Sequence, residues 1–122
     1  MSKKDRKDRK LLIEDILECI KKIERYVDGM DFALFKEDEK TIDAVIKNLE
    51  TIGEAAQHIP DDIKARHKQV PWRGIIGLRN RIVHGYFNID LEIIWGIVRQ
   101  ELPDLKVQLE HILKAEHDND IF

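Results

Sequence analysis

The sequence has a single cysteine, no long apolar run and no excess of positive charge, and each shortage closes off a class of protein. Cys19 has no second cysteine to form an internal disulfide with, and it falls among apolar residues at helical spacing. It reads as a small buried hydrophobe in a reducing compartment. No apolar stretch approaches the ~20 residues that span a bilayer, and the first residues are charged rather than apolar. A cytoplasmic protein with no membrane association is therefore expected. With a formal net charge of −3 the chain lacks the broad basic face that coats nucleic acid by bulk charge. A few arginines can still hold a phosphate locally. Strand-like alternation, internal repeats and low-complexity tracts are absent as well. There is no Gly-rich phosphate loop, no Ser or Cys beside a base, and no Asp/Glu/His cluster at metal-ligand spacing. No metal and no cofactor is expected.

What remains is a chain of 122 residues, 43% hydrophobic and 37% charged, the balance of one helix-rich globular domain spanning 1–122. Residues 3–10 carry six positive and two negative charges. They read either as an RNA-attracting arm or as a solvated helix start, and the mixed signs and terminal position favour the second. Residues 1–8 and 117–122 are expected to fray.

From Leu11 the apolar residues Leu12, Ile13, Ile16, Leu17, Ile20, Ile23 and Val27 recur at three- and four-residue steps, the period of a half-buried helix. Gly29 supplies its left-handed stop. Met30 to Phe35 reads as an apolar connection. A second long helix starts near Asp38 to Thr41 and buries Ile42, Val45, Ile46, Leu49, Ile52 and Ala56, with Gly53 allowing a neighbour to come close. Glu50, Glu54 and Gln57 flank that stripe. Pro60 breaks the chain, Ile63 to His67 form a short turn, and His58 and His67 read as surface histidines.

A third helix runs from Pro71-Trp72 to about Gly85, with Gly74 and Gly77 early in it. Asn88 or Asp90 caps a fourth, whose core includes Leu91, Ile94, Trp95, Val98, Leu102, Leu105, Leu109, Ile112 and Leu113. Pro103 should kink it. The expected architecture is all-α: an up-and-down bundle of four main helices with a kinked C-terminal helix.

The third helix concentrates the chemistry. On a wheel of about 100° per residue, Trp72, Ile75, Ile76, Leu78, Ile82 and Val83 form an apolar arc, with Arg73, Gly77, Asn80 and His84 opposite and Arg81 at the edge. Arg79 points into the apolar arc. A buried guanidinium needs a carboxylate or a phosphate, and Glu50 and Glu54 are the carboxylates at hand. His84 and Arg79 suit phosphodiester cleavage without a metal. The imidazole can take a proton from a ribose 2′-hydroxyl or give one to the leaving oxygen, and the guanidinium can hold the charge that builds on phosphorus. Asn80 can orient either group.

The pattern Arg79-Asn80-x-x-x-His84-x-Tyr86 resembles the Arg-x-x-x-x-His-x-Tyr motif of HEPN-domain ribonucleases, specifically the HepT-like toxins. The resemblance extends to Asn48-Leu49-Glu50-Thr51-Ile52-Gly53-Glu54-Ala55-Ala56, Val70-Pro71-Trp72-Arg73, Gly77 to Phe87, Asp90 to Trp95 and Leu102-Pro103-Asp104-Leu105. It implies a helical homodimer that brings two motifs to one cleft, and metal-independent RNA cleavage with Arg79 and His84 as catalytic residues. It also implies a type VII toxin–antitoxin pair, in which an MntA-like nucleotidyltransferase neutralises the toxin by transferring AMP to the motif tyrosine, here Tyr86. Arg73, Asn80 and Arg81 are candidates to support the site and bind RNA. The alternative is a non-catalytic HEPN subunit that uses the same cleft for a nucleotide or for the transferase.

Overall fold

The computed structural model describes residues 2–84, 88–119 and 121–122. The first helix, α1 (Lys3–Tyr26), begins well before the apolar period becomes visible. Ser2 and Asp5 explain why. The Ser2 hydroxyl accepts from the Asp5 amide at 3.1 Å, and the Asp5 carboxylate accepts from the Ser2 amide at 3.4 Å, a reciprocal cap of otherwise orphaned donors. The helix buries Ile13, Ile16, Leu17, Cys19, Ile20 and Ile23, and Gly29 follows its end at φ +76°.

The expected connection after Gly29 contains a helix of its own, α2 (Phe32–Glu37), capped by Asp31. Its Phe35 is fully buried and packs on Trp95 with ring centroids 4.9 Å apart. Helix α3 (Glu39–Gln57), capped by Asp38, lies along α1 and buries Val45, Leu49, Ile52 and Ala56. A short α4 (Asp61–Arg66) leads into the segment that carries the candidate site.

That segment is two short helices instead of one: α5 (Trp72–Ile76) and α6 (Leu78–Ile82), separated by a turn at Gly77. The helix also ends at Ile82 and not near Gly85. Val83–His84 (β1) and Asn88–Ile89 (β2) form a minimal antiparallel ladder, pairing Val83 with Ile89 and His84 with Asn88. Asp90, not Asn88, then caps α7 (Leu91–Gly96), accepting from the Ile93 amide at 3.1 Å.

The chain continues through a π-helical segment, Ile97–Glu101, into α8 (Leu102–Asp118). Pro103 accounts for the irregularity. It has no N–H to give to the Arg99 carbonyl, and its ring crowds that carbonyl, so the backbone widens by one residue before α8 resumes. The all-α helical bundle with an irregular last helix is the one the sequence implies, although the expected third helix is divided into α5 and α6.

Two terminal and loop residues depart from expectation. Glu116, which directly precedes the segment expected to fray, is only 1% exposed, and His67, read as a surface histidine, is 5% exposed. They bury each other, with Arg66 as the third partner. Ile121 and Phe122 donate backbone hydrogen bonds to the Glu116 carbonyl, so the end of the chain folds back on α8.

Candidate active site

Helices α5 and α6 are held on α3 by backbone contact. A Cβ at Gly53 would lie 3.1 Å from the Ile75 carbonyl oxygen and 3.4 Å from that of Ile76. Only glycine lets α5 come this near, which is the close approach that Gly53 implied in the sequence. Trp72 fixes the start of α5, with its indole N–H donating to the His67 carbonyl at 3.0 Å.

Beyond the Gly77 turn the helical phase changes, and with it the place of Arg79. Leu78 and Ile82, four residues apart and both on the expected apolar arc, face the core at 2% and 0% exposure. Arg79 is rotated away from them and exposed. The expected buried pair with Glu50 or Glu54 is therefore absent: all three side chains are exposed and no ion pair joins them. The wheel that buried Arg79 assumed one unbroken helix from Trp72, and the turn at Gly77 breaks that assumption. Arg73 and Asn80 are exposed too, so α5 and α6 present two guanidinium groups and an amide to solvent.

Arg81 differs from its neighbours. Its Nη1 donates to Glu101 Oε1 at 2.8 Å and its Nη2 to Glu101 Oε2 at 2.5 Å, a fork-on-fork pair that ties α6 to the π-helical segment. These hydrogen bonds, reinforced by the glutamate charge, push the guanidinium still further into its protonated range. Sequence reasoning placed Arg81 at the edge of the site but gave no sign of Glu101, which lies 20 residues away.

His84 lies in the first strand of the ladder, off the helix altogether. The angle of about 140° that separates positions 79 and 84 on an ideal helix does not apply here. The Asp90 amide donates to the Ile82 carbonyl at 3.0 Å, so the chain reverses directly after α6. Tyr86, the candidate for modification, lies outside the described residues. Among the described residues no group of three His, Cys, Asp or Glu side chains is placed to hold a metal ion.

The family described as Ribonuclease HepT-like matches residues 16–112, a span from the middle of α1 to late in α8. The chain belongs to the HepT-like ribonuclease family. A Methanocaldococcus jannaschii protein named as a candidate RNase is 41% identical to it over 119 residues, 95% of this chain and 98% of that protein. The "Probable ribonuclease HepT" of Thermococcus cleftensis is 40% identical over 102 residues, 84% of this chain and 93% of its own length. The "mRNA nuclease HepT" of Shewanella oneidensis is 30% identical over 129 residues, covering 85% and 94% of the two chains. No solved structure matches at a significant level. In this HepT-like chain no helix is long and apolar enough to cross a membrane, among the described residues.

Proposed function

We propose that this protein is the toxin of a type VII toxin–antitoxin pair, an RNA endonuclease that works in the cytoplasm without a metal ion. The observation that carries the reading is Arg79. It is an exposed arginine with no carboxylate partner among the described residues, on a short helix pinned to the core by Leu78 and Ile82, five positions before His84 in a HepT-like chain. An uncommitted guanidinium is free to take a phosphate.

In the proposed reaction His84 removes the proton from a ribose 2′-hydroxyl. The 2′-oxygen attacks the adjacent phosphorus, the bond to the 5′-oxygen breaks, and that oxygen leaves with a proton. The products are a 2′,3′-cyclic phosphate and a 5′-hydroxyl end. Arg79 stabilises the charge on the phosphoryl oxygens as it builds, and Arg73 and Asn80 orient the strand. Two copies of the chain related by a two-fold axis bring two such motifs to one cleft. The proton removed by His84 of one copy and the proton given by His84 of the other then balance the step.

AMP transfer to Tyr86 by a nucleotidyltransferase partner ends the activity. The added phosphate lies two residues from His84 and competes for the cations that hold RNA. The test is cleavage of a labelled single-stranded RNA by the purified protein in excess EDTA, with end-group analysis. Cyclic-phosphate ends that disappear in His84→Ala support the reading. Cleavage that persists in His84→Ala, or that needs added metal, rejects it.

A further inference from the structure

An acidic chain that cuts RNA needs somewhere to hold a polyanion, and Arg73 and Arg79 alone make a small patch. The N-terminal end of α1 offers a larger one. Lys3, Lys4, Arg6, Lys7 and Lys10 line an open groove of about 760 Å³ whose remaining wall is Phe122. The charge pattern that looks mixed in sequence is sorted by the helix. At about 100° per residue the five cations fall within an arc of about 160°, and Asp5, Asp8 and Arg9 occupy the rest of the circumference.

The two residues of opposite side that have partners turn away from the groove. Asp5 closes the cap on Ser2, and Arg9 donates to Asp62 at 2.8 Å. Lys3, Lys4, Lys7 and Lys10 are exposed, and among the described residues none has a carboxylate partner. Lys3 and Lys7, and Arg6 and Lys10, stand four apart on one helix, where like charges repel. The capping box holds this self-repelling face in helical form. A bound polyanion would relieve the repulsion.

Phe122 is the second, independent part. Its amide and that of Ile121 both donate to the Glu116 carbonyl, and its ring is half-buried against the core. The ring is thereby placed beside a row of cations, the combination that binds single strands: charges along the backbone and an aromatic ring for a base.

We infer that the groove between Lys3–Lys10 of α1 and Phe122 is an accessory site for single-stranded RNA, separate from the Arg79/His84 site and indifferent to base sequence. The choice of RNA as occupant rests on the ribonuclease reading. The groove supplies affinity, and the residues of α5, α6 and β1 supply the chemistry.

Binding is measured by fluorescence anisotropy with a labelled oligouridylate of about ten nucleotides, a length within the usual site size for such grooves. The His84→Ala background keeps binding separate from cleavage. Combined Lys3→Gln, Lys4→Gln, Lys7→Gln and Lys10→Gln should weaken binding about tenfold or more. It should also make the slope of log affinity against log salt shallower by about two to three, at roughly 0.7 per phosphate lost. Phe122→Leu keeps the packing but loses the stacking face, and should weaken binding about fivefold without changing the salt slope. In the active protein the quadruple variant should raise KM for the oligomer with kcat unchanged, and cleave a dinucleotide as the parent does. Circular dichroism checks that α1 still forms. Unchanged affinity and slope in the folded quadruple variant would overturn the inference. So would wild-type protein that ignores RNA and binds phosphatidylserine vesicles. Lysine-dependent RNA binding in a protein that never cuts RNA would keep the groove and reject the nuclease.

Discussion

Nε2 of His67 lies 2.5 Å from Oε1 of Glu116, and the same carboxylate accepts from Arg66 Nε at 3.1 Å and Nη2 at 2.9 Å. Because Trp72 also bonds the His67 carbonyl, this cluster, buried at His67 and Glu116 and capped by the exposed Arg66, joins the far end of α8 to the start of α5. It is the strut behind the candidate site.

The cluster makes stability depend on acid. Burial alone pushes the Glu116 carboxyl up, but hydrogen bonds from Arg66 and His67, with their charges, outweigh it and hold the group below its ordinary value. The unfolded chain therefore takes a proton on Glu116 at higher pH than the folded one does. The resulting stability is fully present above the ordinary glutamate value of about 4.3 and is lost as pH falls through the lower folded value. Glu116→Gln should destabilise the protein at neutral pH by about 1–3 kcal/mol, since it leaves buried donors poorly matched. Its melting temperature should then fall less steeply than that of wild type below about pH 4.5. Parallel melting curves across that range would contradict this account.

Arg79→Ala should separate activity from stability. An exposed side chain with no carboxylate partner among the described residues leaves the melting free energy within about 0.5 kcal/mol of wild type. The loss of the phosphate-stabilising fork should lower kcat by about 10²–10³-fold. Calorimetry and single-turnover cleavage on the same preparations decide the matter. A large fall in melting temperature would restore the buried arginine that the ideal wheel demanded.

The long helices were legible because burial by period is a local signal: Ile13, Ile16, Ile20 and Ile23 on α1, and Val45, Leu49, Ile52 and Ala56 on α3, are all in the core. The start of α3 near Asp38, Asp90 as one of two candidate caps for α7, and the closeness at Gly53 were legible because they too are local signals, although the cap made by the Asp38 side chain was not foreseen. What misled was continuity. Gly74 and Gly77 were visible as weak points, but nothing local says that the phase changes at Gly77 or that the chain leaves the helix at Val83 to pair with Ile89. The buried histidine depends on a partner 49 residues away. One hint was available. Leu109, Ile112 and Glu116 share one face of α8, so Glu116 stands where an apolar residue was due.

Gly53→Val should loosen the site without touching it. The added side chain meets the carbonyls of Ile75 and Ile76, which are backbone and cannot swing aside. Valine adds two methyl groups to that clash, and any helix-propensity gain over glycine is well under 1 kcal/mol. The expected net loss is about 1–3 kcal/mol in urea unfolding, as for other overpacked contacts. Activity should fall as α5 and α6 move off α3. Alanine at this position is the milder control. A Gly53→Val protein as stable and active as wild type would show that α5 is not seated on α3 in this way.

Arg81 offers the finest distinction, between a structural arginine and an RNA-binding one. The pair with Glu101 is partly exposed, 36% and 47% for the two side chains, so its coupling energy should be no more than about 1 kcal/mol in a double-mutant cycle and should shrink with salt. As long as the pair stands, both ends of the guanidinium fork are committed to the carboxylate. Glu101→Gln removes the opposing charge and releases the fork. If Arg81 faces the RNA path, KM for a single-stranded substrate should then fall severalfold, and a second change, Arg81→Gln, should cancel the gain. If Arg81 is only a strut, Glu101→Gln should cost a little stability and leave KM where it was. Steady-state kinetics of the two single variants and the double variant at low salt, where such charges are least screened, separate these outcomes. A rise in KM for Glu101→Gln would mean that the pair holds α6 in its working position and that Arg81 acts on RNA only through it.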